Sequence, residues 1–369
     1  MVKTNRYLSG ALFALEQKEK SAAQSQQLLE KLRRHPVTGY AVFALVLMVM
    51  QMLSGLDLIS PSFVTAVGST IIFVIIGLGF CLLLGYSALA SLGTAGFIGI
   101  GAYCAYYCLA QWGLTIGIAF VMAVAAALVI GIIVGYISLR IEGIYLAIVT
   151  LGVAEILKEV LSAICDTIKL KGAQITLFGL DSLRLKTDHI FYGMVAILFL
   201  LMFITHNLMN SPTGRAMLAM KNSTSAAQAF GISLLKYRLL AFIISIVYAA
   251  VAGLLYMLYI RYVSNSSSTL FSLSTSLNIL GAVIIGGTKS IWGTVGGTFI
   301  IYGIDKMFLQ DIAFFRENPT LITLFCGILV VLVVMFYPGG LAQLVLEIRL
   351  KLAKLRKNRR EARYGKDLG

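Results

Sequence analysis

The sequence predicts an all-α fold: a polytopic membrane protein of about ten transmembrane helices, some of them short or broken by glycine. Three observations predict it. Of the 369 residues, 59% are hydrophobic and only 12% charged, with a mean hydropathy of +0.90; a soluble domain carries about a quarter charged residues. The apolar residues fall in long continuous runs, not in the alternation of a transmembrane strand, and a bilayer core admits only helices and closed barrels. The net charge of +14 gathers at the two ends and between the apolar runs. That is the pattern of cytoplasmic segments obeying the positive-inside rule, and it sets aside the nucleic-acid reading that a basic protein invites.

The elements follow in order. Residues 1–36 read as a cytoplasmic amphipathic segment, with a stripe through Leu8, Leu12, Leu15, Leu28, Leu29 and Leu32. It lies on the membrane surface or against a partner, and Pro36 stops it. No cleavable signal peptide is expected ahead of the first run. Residues 37–341 form the transmembrane domain, with apolar segments at 37–57, 63–84, 92–110, 115–138, 144–164, 190–208, 239–260, 268–287, 291–309 and 320–337. Residues 342–369 form a basic cytoplasmic tail. Lys31, Arg33 and Arg34 at one end and the basic run 351–363 at the other put both termini inside, so the number of spans is even. The loop 209–238, with Arg215, Lys221, Lys236 and Arg238, belongs inside as well. Six spans before it and four after satisfy all three constraints. Residues 165–189 then fall outside, despite Lys169, Lys171, Arg184 and Lys186.

Between the eighth and ninth runs lies GAVIIGGTKSIWGTVGG (281–297), close to a phosphate-binding loop. The spacing fails, because Gly287 stands where G-x-x-x-x-G-K-[ST] requires lysine. The glycines read instead as a helix end at Gly286 and Gly287, a cap at Ser290 and a close-contact pair at Gly293 and Gly297. Similar small faces are expected at Gly113/Gly117, Gly131/Gly135 and 93–101. GTAG (93–96) and GTVG (293–296) resemble each other, through a repeat or by coincidence.

Charges inside spans are costly and often functional. The clearest set is Glu155, Lys158 and Glu159, spaced to pair with one another on one helical face. They mark either a pathway or docking patch, or an interfacial helix end with internal ion pairs. Thr94, Tyr103, Tyr145, Thr150 and Asn278 are the uncharged candidates for a solute route, with helix–helix hydrogen bonding as the alternative for each. Cys81, Cys104, Cys108, Cys165 and Cys326 read as packing residues. No catalytic set and no metal-ligand spacing is visible, so neither enzyme nor metal site is expected. The loop 211–242 is long and mixed: Ala216, Ala219 and Met220, then Ala226, Ala227 and Phe230, suggest short helices with small apolar faces, and Gly231 a stop. Such a loop docks on a cytosolic partner or lies flat on the membrane.

At this loop the sequence resembles a known family. Ser225-Ala226-Ala227-Gln228-Ala229-Phe230-Gly231 is similar to the E-A-A-x-x-x-G coupling loop of ABC importer permeases, with Ser225 in place of the glutamate. SLGTAGFIGIGAY (91–103), LRIEGIYLAIVTLGVAEI (139–156), TGRAMLAMKNSTSAAQAFGIS (213–233), LLAFIISIVYAAVAGLLY (239–256), GGTKSIWGTVGG (286–297) and FYPGGL (336–341) resemble, in order, the M-type subunit of the branched-chain amino acid permease family. Thr94 stands where that family usually has histidine, and KLKGAQITLFGL (169–180) where it has a double-glycine, serine-rich stretch. The resemblance implies a permease subunit in the bacterial inner membrane, working by ATP-driven alternating access. Its implied partners are an H-type permease, two cytosolic ABC ATPases and an extracytoplasmic solute-binding protein. Its implied coupling residues are Gly214, Arg215, Ala226, Ala227, Phe230 and Gly231. This chain would bind no cofactor, the ATP and magnesium belonging to its partners. Branched-chain amino acids are the favoured solutes, urea, amides or other amino acids the alternative; an ATP-independent channel or carrier is a further reading.

Overall fold

A computed structural model describes residues 36–351, apart from 57, 142, 166, 171–186, 265–268, 308–318, 338 and 349. The expectations for the N-terminal segment up to residue 35, for most of the 165–189 loop and for the tail beyond 351 fall outside the described residues. Contacts divide the chain into two units, residues 1–49 and 50–369. The described part of the first unit is the beginning of one apolar helix, α1 (Pro36–Gly55), with Pro36 at its first position.

Each remaining apolar run becomes helix. In order these are α2 (Pro61–Ser87), α3 (Thr94–Tyr106), α4 (Ile116–Ser138), α5 (Ile144–Ile164), α6 (Thr187–Asn210), the two short helices α7 (Pro212–Asn222) and α8 (Thr224–Ala229), α9 (Leu234–Ile260), α10 (Leu273–Gly286), α11 (Ile291–Thr298), α12 (Ile304–Met307) and α13 (Pro319–Phe336). Residues 340–348 are also helical, so a helix crosses the boundary expected at residue 342. Five described helices are long and apolar enough to cross a membrane: Val37–Gly55, Pro61–Ser87, Ile116–Ser138, Asp188–Asn210 and Leu234–Ile260. The expected breaks are local π-turns, at Tyr107–Gln111 after α3 and at Phe299–Gly303 between α11 and α12. Both helices that open on the similar GTAG and GTVG stretches end this way.

The all-α expectation holds, and beside the helices the described residues hold one short strand pair. Thr167–Lys169 (β1) pairs antiparallel with Tyr262–Ser264 (β2), Ile168 facing Val263. Three residues are too few to show an alternating pattern, and the pairing joins segments far apart in sequence. It also shows that the loop after α5 and the end of α9 lie on one face, as the charge parity requires.

The core is built on α2 and α9. The window that would cross the membrane is almost wholly buried in α2 and about two-thirds buried in α9, as expected for helices that are apolar all round. Helix α9 packs against α2, α3 and α4, and α10 and α11 close over α2. Small residues set the approach. A methyl carbon placed on Gly101 of α3 would lie 1.9 Å from the carbonyl oxygen of Ala250, and one on Gly253 of α9 would lie 2.0 Å from that of Ile98. Helix α4 buries only Ala119, Ala123, Ala127, Gly131, Gly135 and Ser138. That stripe at every fourth residue faces the bundle, and most of its large apolar side chains point outward, as on a lipid-facing helix. The expected Gly131/Gly135 face is therefore real, and it meets Ile246, Leu239 and Phe242 of α9. The Gly113/Gly117 pair is not a contact face: nothing lies within 4 Å of either, and Gly113 serves a left-handed turn at φ +61.

Candidate functional site

The sequence candidates separate into three groups. The first is buried where α2 gives way to α3. Residues 88–93 leave the helix in non-helical conformation, after Ala88 turns left-handed at φ 53. Their backbone N–H groups need partners inside the bundle, and hydroxyls supply them. The amide of Leu92 donates to Thr150 Oγ1 at 3.0 Å, and Thr150 in turn donates to the Ala147 carbonyl at 3.1 Å. The amide of Ala95 donates to Ser276 Oγ at 3.2 Å, and that of Gly93 to Ser91 Oγ at 3.3 Å. Thr94 is buried at the start of α3 beside them. Tyr103 is buried two turns further on, its hydroxyl donating to the Cys165 carbonyl. Thr150 and Tyr103 thus act as ties between segments, the alternative reading of each.

The second group lies on an open seam. Tyr145, Ile148, Gly152, Glu155, Glu159 and Ala163 are all exposed, and their spacing of three and four residues puts them on one face of α5. Lys158 Nζ meets Glu155 Oε1 at 2.8 Å, so the expected pairing forms. Glu155 sits eleven residues past Ile144, about 16 Å along the helix axis and near the middle of α5, whereas the sequence reading puts it toward the outer part of the fifth span. Facing it is the first turn of α10. Ile148, Leu151, Gly152, Glu155 and Lys158 of α5, with Ser272, Leu273 and Ser274, line an open groove of about 690 Å³. Asn278 is half-buried on α10, one turn beyond Ser274. Of the sequence candidates, only Glu155 lines this groove; Tyr145 shares its face of α5, and Asn278 is not among the lining residues. Sequence reading missed Ser272 and Ser274; the i, i+4 spacing of Ser274 and Asn278 on α10 was the available signal.

The third group is the loop between α6 and α9. Ser211 caps α7, its hydroxyl accepting from the Gly214 amide at 3.2 Å, and Ser223 caps α8 by accepting from Ala226 at 3.2 Å. Gly214 is buried so tightly that a methyl carbon there would lie 2.4 Å from the Leu208 carbonyl oxygen. Met217, Met220 and Ala227 are buried, anchoring both short helices to the bundle. Gly231 ends the loop at φ +77, where a side chain is strained. Arg215 is exposed and donates from Nη1 to the Asn210 carbonyl at 3.0 Å, at the end of α6. Phe230 stands 87% exposed, more than any other large apolar side chain among the described residues. Of the expected coupling residues, then, Gly214 and Ala227 hold the loop in place, while Arg215, Ala226, Phe230 and Gly231 face outward.

Sequence reasoning also missed the tie between this loop and the core. Lys221, in the last turn of α7, donates from Nζ to the carbonyls of Gly85 at 2.8 Å and Leu84 at 3.2 Å, the last turn of α2. A cation at a helix C-terminus is favourable. Burial lowers the pKa of this ammonium, and the charge of Lys289 lowers it further. Lys289 belongs to the Gly286–Ser290 turn, which also touches α2: Cys81 Sγ donates to the Thr288 carbonyl at 3.2 Å. As expected, Gly287 ends α10 at φ 106, Ser290 caps α11 by accepting from Gly293 at 3.1 Å, and Gly293 and Gly297 abut Gly286 and Ala282.

A helical membrane bundle with a polar seam on one flank, and a capped two-helix loop fastened to its central helix, is a transport permease. The chain belongs to the branched-chain amino acid transport system / permease component family, whose model matches residues 62–334. It is 33% identical to the high-affinity branched-chain amino acid transport system permease protein LivM of Escherichia coli K12, over 74% of this chain and 68% of that protein. It is 31% identical to LivM of Salmonella typhimurium LT2 over the same shares. It is 30% identical to the autoinducer 2 import system permease protein LsrC of an Enterobacter species over 31% of this chain and 34% of that one. No solved structure matches the chain significantly.

Proposed function

We propose that this chain is the M-type permease subunit of an ABC importer that carries branched-chain amino acids across the bacterial inner membrane. The chain pairs with an H-type permease. Two cytosolic ATPases hold the ATP and magnesium and perform the hydrolysis, and an extracytoplasmic binding protein delivers the solute. Both termini and the α7–α8 loop face the cytoplasm.

The observation that carries this reading is the loop. An aromatic ring that stands almost fully in solvent, on a short helix whose other face is anchored, is a projection built to enter a pocket on another protein. Lys221 makes the loop and α2 move together, so a push on α7 and α8 reaches the centre of the bundle. The similarity to LivM supports the solute class.

The test is reconstitution in liposomes with the second permease, the ATPases and the binding protein. Labelled leucine accumulates only when ATP and the binding protein are both present. Accumulation by this chain alone would point to a channel or carrier and overturn the proposal.

A further inference from the structure

The seam on α5 raises a question that membership of a permease family leaves open. A carboxylate near the middle of a membrane helix is expensive against lipid, so such groups face a protein or a water-filled cavity. Glu155 is half-exposed in this chain, and the surface around it is a groove, not a flat apolar face. The groove's volume of about 690 Å³ is within the range of ~300–1,000 Å³ typical of small-molecule sites. Its lining divides by chemistry. Ile148, Leu151 and Leu273 are apolar. Glu155 is an anion, Lys158 a cation, and Ser272 and Ser274 are hydroxyls paired with each other at 2.7 Å. Helix α10 begins at Leu273, so the positive end of its dipole lies at the groove on the side facing Lys158 and Glu155.

From this arrangement we infer that the α5–α10 groove is a transfer site for a zwitterionic α-amino acid, in which Glu155 takes the ammonium group while Lys158 and the first turn of α10 take the carboxylate. The inference rests on the permease reading and adds the residues that would read the solute. An empty groove keeps its two charges joined at 2.8 Å. An entering zwitterion exchanges that ion pair for two others of the same kind and adds no net charge beside Lys158 and its second acidic neighbour, Glu159. Solvent screens a partly exposed pair and keeps it weak, so the exchange neither blocks entry nor creates a well from which the solute cannot leave. The apolar residues accept an aliphatic side chain, and Gly152 keeps the groove open, since nothing lies within 4 Å of a methyl carbon placed there.

The experiment uses the complete complex in liposomes, with labelled leucine as the probe and with leucine binding to the isolated binding protein as a control. Glu155→Gln and Lys158→Met are each expected to lower leucine uptake per ATP hydrolysed by roughly three- to fivefold, the size of one lost partly exposed ion pair, while Lys158→Arg keeps most of it. Gly152→Leu fills the groove without changing its charge and gives the same loss. The reversed pair, Glu155→Lys with Lys158→Glu, restores the internal ion pair but inverts its poles relative to α10, so uptake stays low. Wild-type uptake in the single variants, or full recovery in the reversed pair, would show that the pair is only structural and would overturn the inference. If the wild-type complex shows no ATP-dependent leucine uptake at all, it is the permease assignment that fails.

Discussion

The crossing of α3 and α9 makes the sharpest prediction about stability. Gly101→Ala adds one methyl carbon, which would lie 1.9 Å from the Ala250 carbonyl oxygen. Ordinary contact begins at 3.4 Å, so the deficit is 3.4 − 1.9 = 1.5 Å. The obstacle is backbone, which has no rotamer to change, so the helices must separate or tilt. Separation also loosens the reciprocal contact of Gly253 with the Ile98 carbonyl and the edge-to-face pair Phe97–Phe242 at 6.3 Å. Overpacking costs ~1–3 kcal/mol in well-packed cores, and an obstacle of backbone puts this case at about the upper end. On the scale of ~2–4 °C per kcal/mol for mid-sized domains, the melting midpoint falls by roughly 6–12 °C. The assay is the fraction of detergent-solubilised protein that stays monodisperse after heating. Gly117→Ala is the control, because nothing lies within 4 Å of its added carbon; in a helix it is neutral or stabilising by roughly 0.5–1 kcal/mol. A Gly101→Ala protein that melts with the control would refute the close crossing, and with it the packing of α3 on α9.

Three further outcomes are expected. Lys221→Met removes the bonds to the end of α2 and lowers uptake per ATP several-fold with assembly intact, while Lys221→Arg restores part of it; unchanged coupling in the methionine variant would mean that loop and core move independently. Phe230→Asp, Gly231→Trp and Arg215→Glu each uncouple ATP hydrolysis from uptake without preventing membrane insertion, and normal uptake in all three would remove the loop from the coupling path. Single cysteines at Lys289 and Lys169, both exposed, react with impermeant thiol reagents from the cytoplasmic and outer sides respectively; the opposite pattern would invert the topology.

The helical runs were legible because a bilayer imposes one rule on every span, and hydropathy reports it directly. The helix ends were legible where a residue's own chemistry decides them, as with Gly287, Ser290 and Gly231. The glycine pair at 293 and 297 was legible for the same reason, but identical spacing at 113 and 117 gave no contact. Whether a small face meets another helix depends on what stands opposite, and a single sequence does not state that. Thr150 and Tyr103 illustrate the limit for polar residues. Each could have lined a route, yet each satisfies a backbone group exposed by a break in neighbouring structure. Lys221 was visible only as a positive loop charge. Its partners are main-chain carbonyls, which every sequence has and none displays. The β1–β2 pairing was hidden likewise, because backbone pairing between distant short segments leaves no pattern in side chains.

The distribution of exposed groups shows why this chain is one part of a larger assembly. Helix α4 turns Val121, Val129, Ile133 and Ile137 outward with no charge among them, which suits lipid. Helix α5 turns Glu155 and Glu159 outward, which does not. Two flanks of one bundle thus face different surroundings, and only the second needs water or protein against it. The loop repeats the contrast at the membrane face: α7 turns Met217 and Met220 inward, whereas α8 leaves Phe230 outside. At the seam and at Phe230 an exposed group contradicts its surroundings, and Lys221 joins the loop to α2. A second permease beside α5 and an ATPase beneath α8 would remove both contradictions. On that assembly, force entering at Phe230 reaches α2 through Lys221, and α2 packs directly on α10, the helix that forms one wall of the groove.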